Sequence, residues 1–195
     1  ENGVPTLKGV EDFKEWMIDA GLEGRVEIFK ETPPGPPPNG TYQAFLIDSG
    51  SVDDFGLSGT QRAVLSFIIS GFIGKTFSGD GGVRNVLLSD FSFDPKALAG
   101  TISLDPGFVD GNDSWVTRFP DTINDFIVDE FREVQDGFLM GRTYFGPEVE
   151  VGDPTLFECG LVRVALALPE GKTAKDAILG AREDGEEESA EEDGQ

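Results

Sequence analysis

Residues 126–145 read FIVDEFREVQDGFLMGRTYF, two runs of large apolar side chains on either side of Asp136-Gly137. Both turn positions tolerate positive φ, so the pair predicts a two-residue β-hairpin loop. Gln135 then faces Phe138, and counting outward sets Glu133 opposite Met140, Phe131 opposite Arg142 and Asp129 opposite Tyr144. Opposed residues project from one face of an antiparallel pair. One face therefore carries Ile127, Asp129, Phe131, Glu133, Met140, Arg142 and Tyr144. The other carries Val128, Glu130, Arg132, Val134, Leu139, Gly141, Thr143 and Phe145.

The first face is expected to point inward. Arg142 there lies diagonal to Asp129 and Glu133, and a guanidinium between two carboxylates satisfies all three groups even when partly buried. Charged groups among Phe131, Met140 and Ile127 make up a mainly apolar chamber with a few convergent polar groups, the usual composition of a small-molecule pocket. A salt-bridge cluster that only fixes register is the competing reading, and a slip of one residue at the turn would exchange the faces.

The hairpin belongs to a series. TYQAFLI (41–47), GKTF (74–77), VRNVLLSDF (83–91), GTISLD (100–105), DSWVTRF (113–119), 123–134, 138–145 and LFECGLVRVALAL (156–168) all read as strands. Between Leu57 and Ile73 the period changes: Leu57, Val64, Leu65, Ile68, Ile69 and Phe72 share one side of a helix that Ser58 or Thr60 can cap. Seven or eight strands with short turns and one buried helix after the first of them predict a mainly β fold, a closed or nearly closed antiparallel barrel.

Upstream, TLKGVEDFKEWMIDA (6–20) places Val10, Phe13, Trp16, Met17 and Ala20 at helical spacing before Gly21. RVEIFK (25–30) alternates like a short strand, and TPPGPPPNG (32–40) reads as a stiff arm laid over the barrel. The expected organisation is helix and arm over 1–39, barrel over 40–179, and a disordered acidic tail over 180–195. That tail holds eight acids and one base and no apolar residue larger than alanine, so it cannot bury enough surface to offset its ordering entropy.

The net charge is −22, and removing the tail still leaves −15 on residues 1–179. So acidic a surface makes nucleic acid and anionic membranes poor partners. Histidine is absent, which removes the commonest general base and imidazole metal sites. The single cysteine, Cys159, precludes an internal disulfide and reads as a small hydrophobe in a strand. No apolar run reaches the ~20 residues of a membrane span. No signal peptide is visible, although the chain begins at Glu1. A soluble protein, cytoplasmic rather than secreted, is the expectation. SGDGGVRN lacks the GxxxxGK[ST] spacing of a phosphate cradle and DGND (110–113) lacks the EF-hand pattern, so both read as turns, with no cofactor or metal implied.

NGTYQAFLI followed by a helix, then SGFIGKTF, then IVDEFREVQDGFLMGRTYF resemble, in order and approximate spacing, families of uncharacterised proteins built on a GXWXG segment. Gly40 and Tyr42 match the first motif, with Tyr in place of Trp. Gly74, Lys75 and Phe77 match the second, and Asp129, Phe131, Arg132, Gly141 and Arg142 the third. The resemblance implies a calycin-like barrel, a relative in shape of lipocalins, in which Arg142 would pack over Tyr42 to close the base.

Three functions follow as expectations. The first is non-catalytic binding of a small hydrophobic or amphipathic molecule, with Arg142, Phe131, Met140, Tyr144 and Tyr42 around it and Arg142 or Lys75 free for a carboxylate head. The second is a histidine-free isomerase, cyclase or lyase using Asp129 or Glu133 as acid or base with Tyr144 assisting. The third is an assembly module, a homo-oligomer formed through the N-terminal helix.

Overall fold

A computed structural model describes residues 5–47, 55, 57–88, 98–120, 125–146 and 148–192, with backbone alone at 64, 67, 68 and 184–192. Eight strands follow one another around the wall: β1 (Gly40–Ile47), β2 (Phe72–Phe77), β3 (Gly82–Leu87), β4 (Ala99–Pro106), β5 (Asp113–Arg118), β6 (Ile127–Gln135), β7 (Phe138–Phe145) and β8 (Phe157–Ala165). Each pairs antiparallel with the next, and β1 pairs with β8 over Thr41↔Ala165 to Ile47↔Glu158, which closes the barrel. The expected mainly β, closed antiparallel architecture is the one observed.

Inward alternation supplies the core. Tyr42, Ala44, Phe77, Val83, Ile102, Phe131, Leu139 and Leu161 fill the interior. Edge-on ring contacts run from Tyr42 to Phe77 at 5.4 Å and from Phe77 to Phe131 at 5.9 Å. Helix α2 (Gly59–Gly71) joins β1 to β2 across one end and inserts Leu65 into this core, beside Leu57 just ahead of the helix, with Ile69 and the first residue of β2, Phe72, packed against them. Its start is a reciprocal cap: Ser58 Oγ accepts from Gln61 N (3.2 Å), and Gln61 Oε1 accepts from Ser58 N (2.9 Å). Side chains 64 and 68 of the expected apolar face, and positions 89–91, 123–124 and 193–195, lie outside the described residues.

Helix α1 (Val10–Glu31) covers the outside of the wall. It buries Phe13, Met17, Arg25 and Phe29, a four-residue spacing that continues through a kink where Gly21 takes φ 65°. Phe13 meets Phe45 and Phe138 edge-on at 5.4 and 5.6 Å. Residues 25–30, expected as a strand, are therefore the last turns of this helix. Arg25 and Phe29 fall on the same stripe as Phe13 and Met17, and tertiary contacts at that stripe outweigh six residues of local alternation.

The proline arm does lie over the barrel. Pro34 O accepts from Glu133 N (3.3 Å), and Gly35 O accepts from Trp115 Nε1 (3.2 Å). After β8, α3 (Ala174–Glu192) runs into the acidic stretch, so helix replaces the disorder expected from residue 180 as far as Glu192. Among its described side chains Ile178 is the fully buried one, and it seats against Ile73 and Val86 on the outer face of β2 and β3. Among the described residues no helix is long and apolar enough to cross a membrane.

Candidate functional site

The β6–β7 hairpin departs from the expected register by one residue. Gln135 faces Phe138 as the turn requires, but Val134 bulges out of the ladder, so Glu133 pairs with Leu139, Phe131 with Gly141, Glu130 with Arg142 and Asp129 with Thr143. The inserted residue flips β7 relative to β6. Ile127, Asp129 and Phe131 face the interior as expected, joined by Leu139, Gly141 and Thr143. Met140, Arg142 and Tyr144, expected inside, stand on the outer face of the wall.

Inside, β2, β3, β5, β6 and β7 converge on one polar cluster. Lys75 Nζ donates to Asn85 Oδ1 (2.6 Å) and Asp129 Oδ2 (2.8 Å). Asp129 also accepts from Thr117 Oγ1 at 3.1 Å and, on its other oxygen, from Thr143 Oγ1 at 2.6 Å. Lys75, Asn85 and Asp129 are each 3% exposed. Charges this far from water persist only when paired and hydrogen-bonded, and both conditions are met. The ammonium also sits 4.9 Å from the Phe119 ring centroid, 5.4 Å from Phe72 and 5.7 Å from Phe131, distances suited to cation–π attraction.

This cluster floors a cavity of about 20 Å³, room for a water or two. Lys75, Asn85, Asp129, Thr143 and Cys159 form its buried side, whereas Leu46, Ile69, Phe72 and Phe157 at the α2 end are only half-buried. The floor is thus polar and fixed, and the mouth apolar. Burial pushes the Cys159 thiol strongly up, reinforced by the Asp129 carboxylate, so sulfur here is an inert wall atom.

On the outer face a second network ties α1 to the barrel. Glu158 accepts from both Arg25 and Arg142, and Arg142 also donates to Thr155. Arg132 donates to Ser114 Oγ (2.9 Å) and Phe29 O (2.7 Å), makes two bonds to Asp110 (3.0 and 2.6 Å), and lies over the Phe29 ring at 4.7 Å. The Tyr144 hydroxyl donates to Glu130, whose second oxygen accepts from Phe108 N at 2.9 Å. Burial raises the Glu130 carboxyl above its ordinary range despite those bonds, and raises the Tyr144 phenol as well, with the Glu130 charge adding to it. DGND is a turn whose aspartate anchors Arg132.

Of the residues singled out from sequence, Lys75 and Asp129 meet at the cavity, with Phe131 packed on Lys75. Tyr42 is inside but in the layer towards the other end, beside Phe77. Arg142 stands on the outer face of the wall and does not pack over it; burial raises the Tyr42 phenol, and the neighbouring Arg163 opposes that rise. Glu133 lies at the turn end, where Oε1 accepts from Gly137 N at 2.9 Å. Burial raises its carboxyl too. Arg142 bonds neither Asp129 nor Glu133, because the bulge sets them on opposite sides of the wall. Tyr144 is likewise separated from Asp129. Sequence reasoning missed Asn85, Thr117 and Thr143. The available signal was polar residues at inward positions of otherwise apolar alternation, as in Val83, Asn85 and Leu87.

A crystal structure of a protein from Thermomonospora curvata is similar, with a TM-score of 0.51 and 17% sequence identity over 78% of this chain and 98% of that one. At that identity the likeness concerns the barrel alone. No family model matches the chain, and no curated protein does.

Proposed function

We propose that this barrel is a non-catalytic receptor for a small, mainly apolar molecule held in the cavity beneath α2, in the manner of calycin-like binding proteins. The observation that carries the reading is the division of the cavity into a buried polar floor at Lys75, Asn85 and Asp129 and a half-exposed apolar mouth at Leu46, Ile69, Phe72 and Phe157. Pockets that bind small molecules combine many apolar wall atoms with a few fixed polar ones. The enclosed room of about 20 Å³ is smaller than such ligands need, so binding requires the mouth side chains to turn aside. Their partial exposure favours that.

Native mass spectrometry and thermal shift against a panel of small terpenoids and aromatic compounds test this reading. Wild type is expected to retain at least one compound, and Ile69→Trp, which fills the mouth, to lose it while remaining folded. A folded sample that retains none of them refutes the reading. A second reading, self-association through α1, is favoured by Ile18 and Leu22, exposed at 53% and 48%. Light scattering on Ile18→Glu/Leu22→Glu tests it: an oligomer in wild type must become monomeric.

A further inference from the structure

The polar floor has a definite charge and a definite set of unused hydrogen-bonding atoms, and together they specify the ligand's polar end. Among the described residues Lys75 is the one cation on the cavity wall, and Asp129 neutralises it at 2.8 Å. Asp129 is itself engaged on both oxygens, by Lys75 and Thr117 on one and Thr143 on the other. A ligand carboxylate would therefore enter as a third, uncompensated charge in a site without bulk water, at a large desolvation cost.

The unused atoms are donors. Lysine can only donate, so Asn85 must present its carbonyl Oδ1 to Nζ, which turns its amide Nδ2 the other way. Asn85 is 97% buried, lines the cavity, and its Nδ2 makes no hydrogen bond among the described residues. An ammonium carries three N–H groups, and two of those on Lys75 are committed. Donors that face a cavity reward an acceptor that reaches them and penalise a ligand that fills the cavity and leaves them dry.

We infer that the cavity selects an uncharged ligand bearing a carbonyl oxygen, received by Asn85 Nδ2 and the remaining Lys75 N–H, and discriminates against carboxylates of the same shape. This rests on the binding reading above and replaces the carboxylate head expected for Lys75. The resting Lys75–Asp129 pair is what sets the preference: remove the aspartate's charge and the ligand's own carboxylate can take its place.

Acetophenone, benzoate and toluene share a ring and differ in the polar end, and their affinities for the full-length protein can be compared by ligand-observed NMR titration. Acetophenone is expected to bind about tenfold more tightly than either of the others. In Asp129→Asn the order of ketone and acid should reverse. In Asn85→Leu acetophenone should fall to the level of toluene while toluene is unchanged. Benzoate binding wild type as well as acetophenone overturns the inference and leaves the binding reading standing, as does toluene equal to acetophenone. Failure of all three to bind overturns both. If Asp129→Asn does not fold, the wild-type ranking and Asn85→Leu decide.

Discussion

Lys75 and Asp129 leave water together, so each is the condition for burying the other. Removing one partner strands a charge in the barrel, a change that costs ~3–5 kcal/mol in comparable buried pairs. Lys75→Met alone should lose about that much in urea unfolding, and Lys75→Met/Asp129→Leu should regain most of it, because the paired apolar replacement leaves nothing unsatisfied. Glu130 obeys a different balance. Its folded carboxyl is raised by burial, so the folded state prefers the protonated acid, and its contribution to stability falls as pH rises through the ordinary carboxyl value to the raised one. The stability of Glu130→Gln relative to wild type should therefore climb as pH goes from ~4 to ~7, measured by chemical denaturation at each pH. Gly141 is a third tight point: a Cβ there would stand 2.5 Å from Phe131 Cε1 and 2.7 Å from Cys159 Sγ. Gly141→Ala should cost ~1–3 kcal/mol by overpacking.

Among the elements, those with a clear period were the ones legible in the sequence. Strands β1 to β8 alternate over six to nine residues each, and α2 carries both a helical stripe and the Ser58 and Gln61 cap. Ser58→Ala should therefore lower stability by ~1 kcal/mol, seen as a lower urea midpoint with an unchanged slope. Residues 25–30 misled because six alternating positions do not fix a period, and what decides them is Arg25 reaching Glu158 across 133 positions of chain. The bulge at Val134 gives no local sign, yet it alone moves Met140, Arg142 and Tyr144 out of the interior. Ile127, Asp129 and Phe131 of β6 face inward as the alternation predicts, whereas on β7 the prediction from an unbulged turn places the wrong residues inside. Asn85, Thr117 and Thr143 join Lys75 and Asp129 only when five strands close around them, a proximity no stretch of sequence displays.

At the level of the molecule, a net charge of −22 on 195 residues works against compaction. Raising NaCl from ~0.02 M to ~0.5 M should increase the melting temperature, since screening relieves repulsion over the surface and hardly touches the buried Lys75–Asp129 pair. An unchanged or lowered midpoint would mean that exposed attractive pairs such as Arg118–Asp105 outweigh the excess of acids. The seam between β1 and β8 carries a further consequence. Thr41 finds Ala165 and Ile47 finds Glu158, so during synthesis the first strand waits for the last with its edge bare. Such long-range pairing makes folding slow and late. A nascent chain halted before residue 157 would offer a lone sticky edge at each side of an unrolled sheet, and there a chaperone or a misplaced neighbour would act.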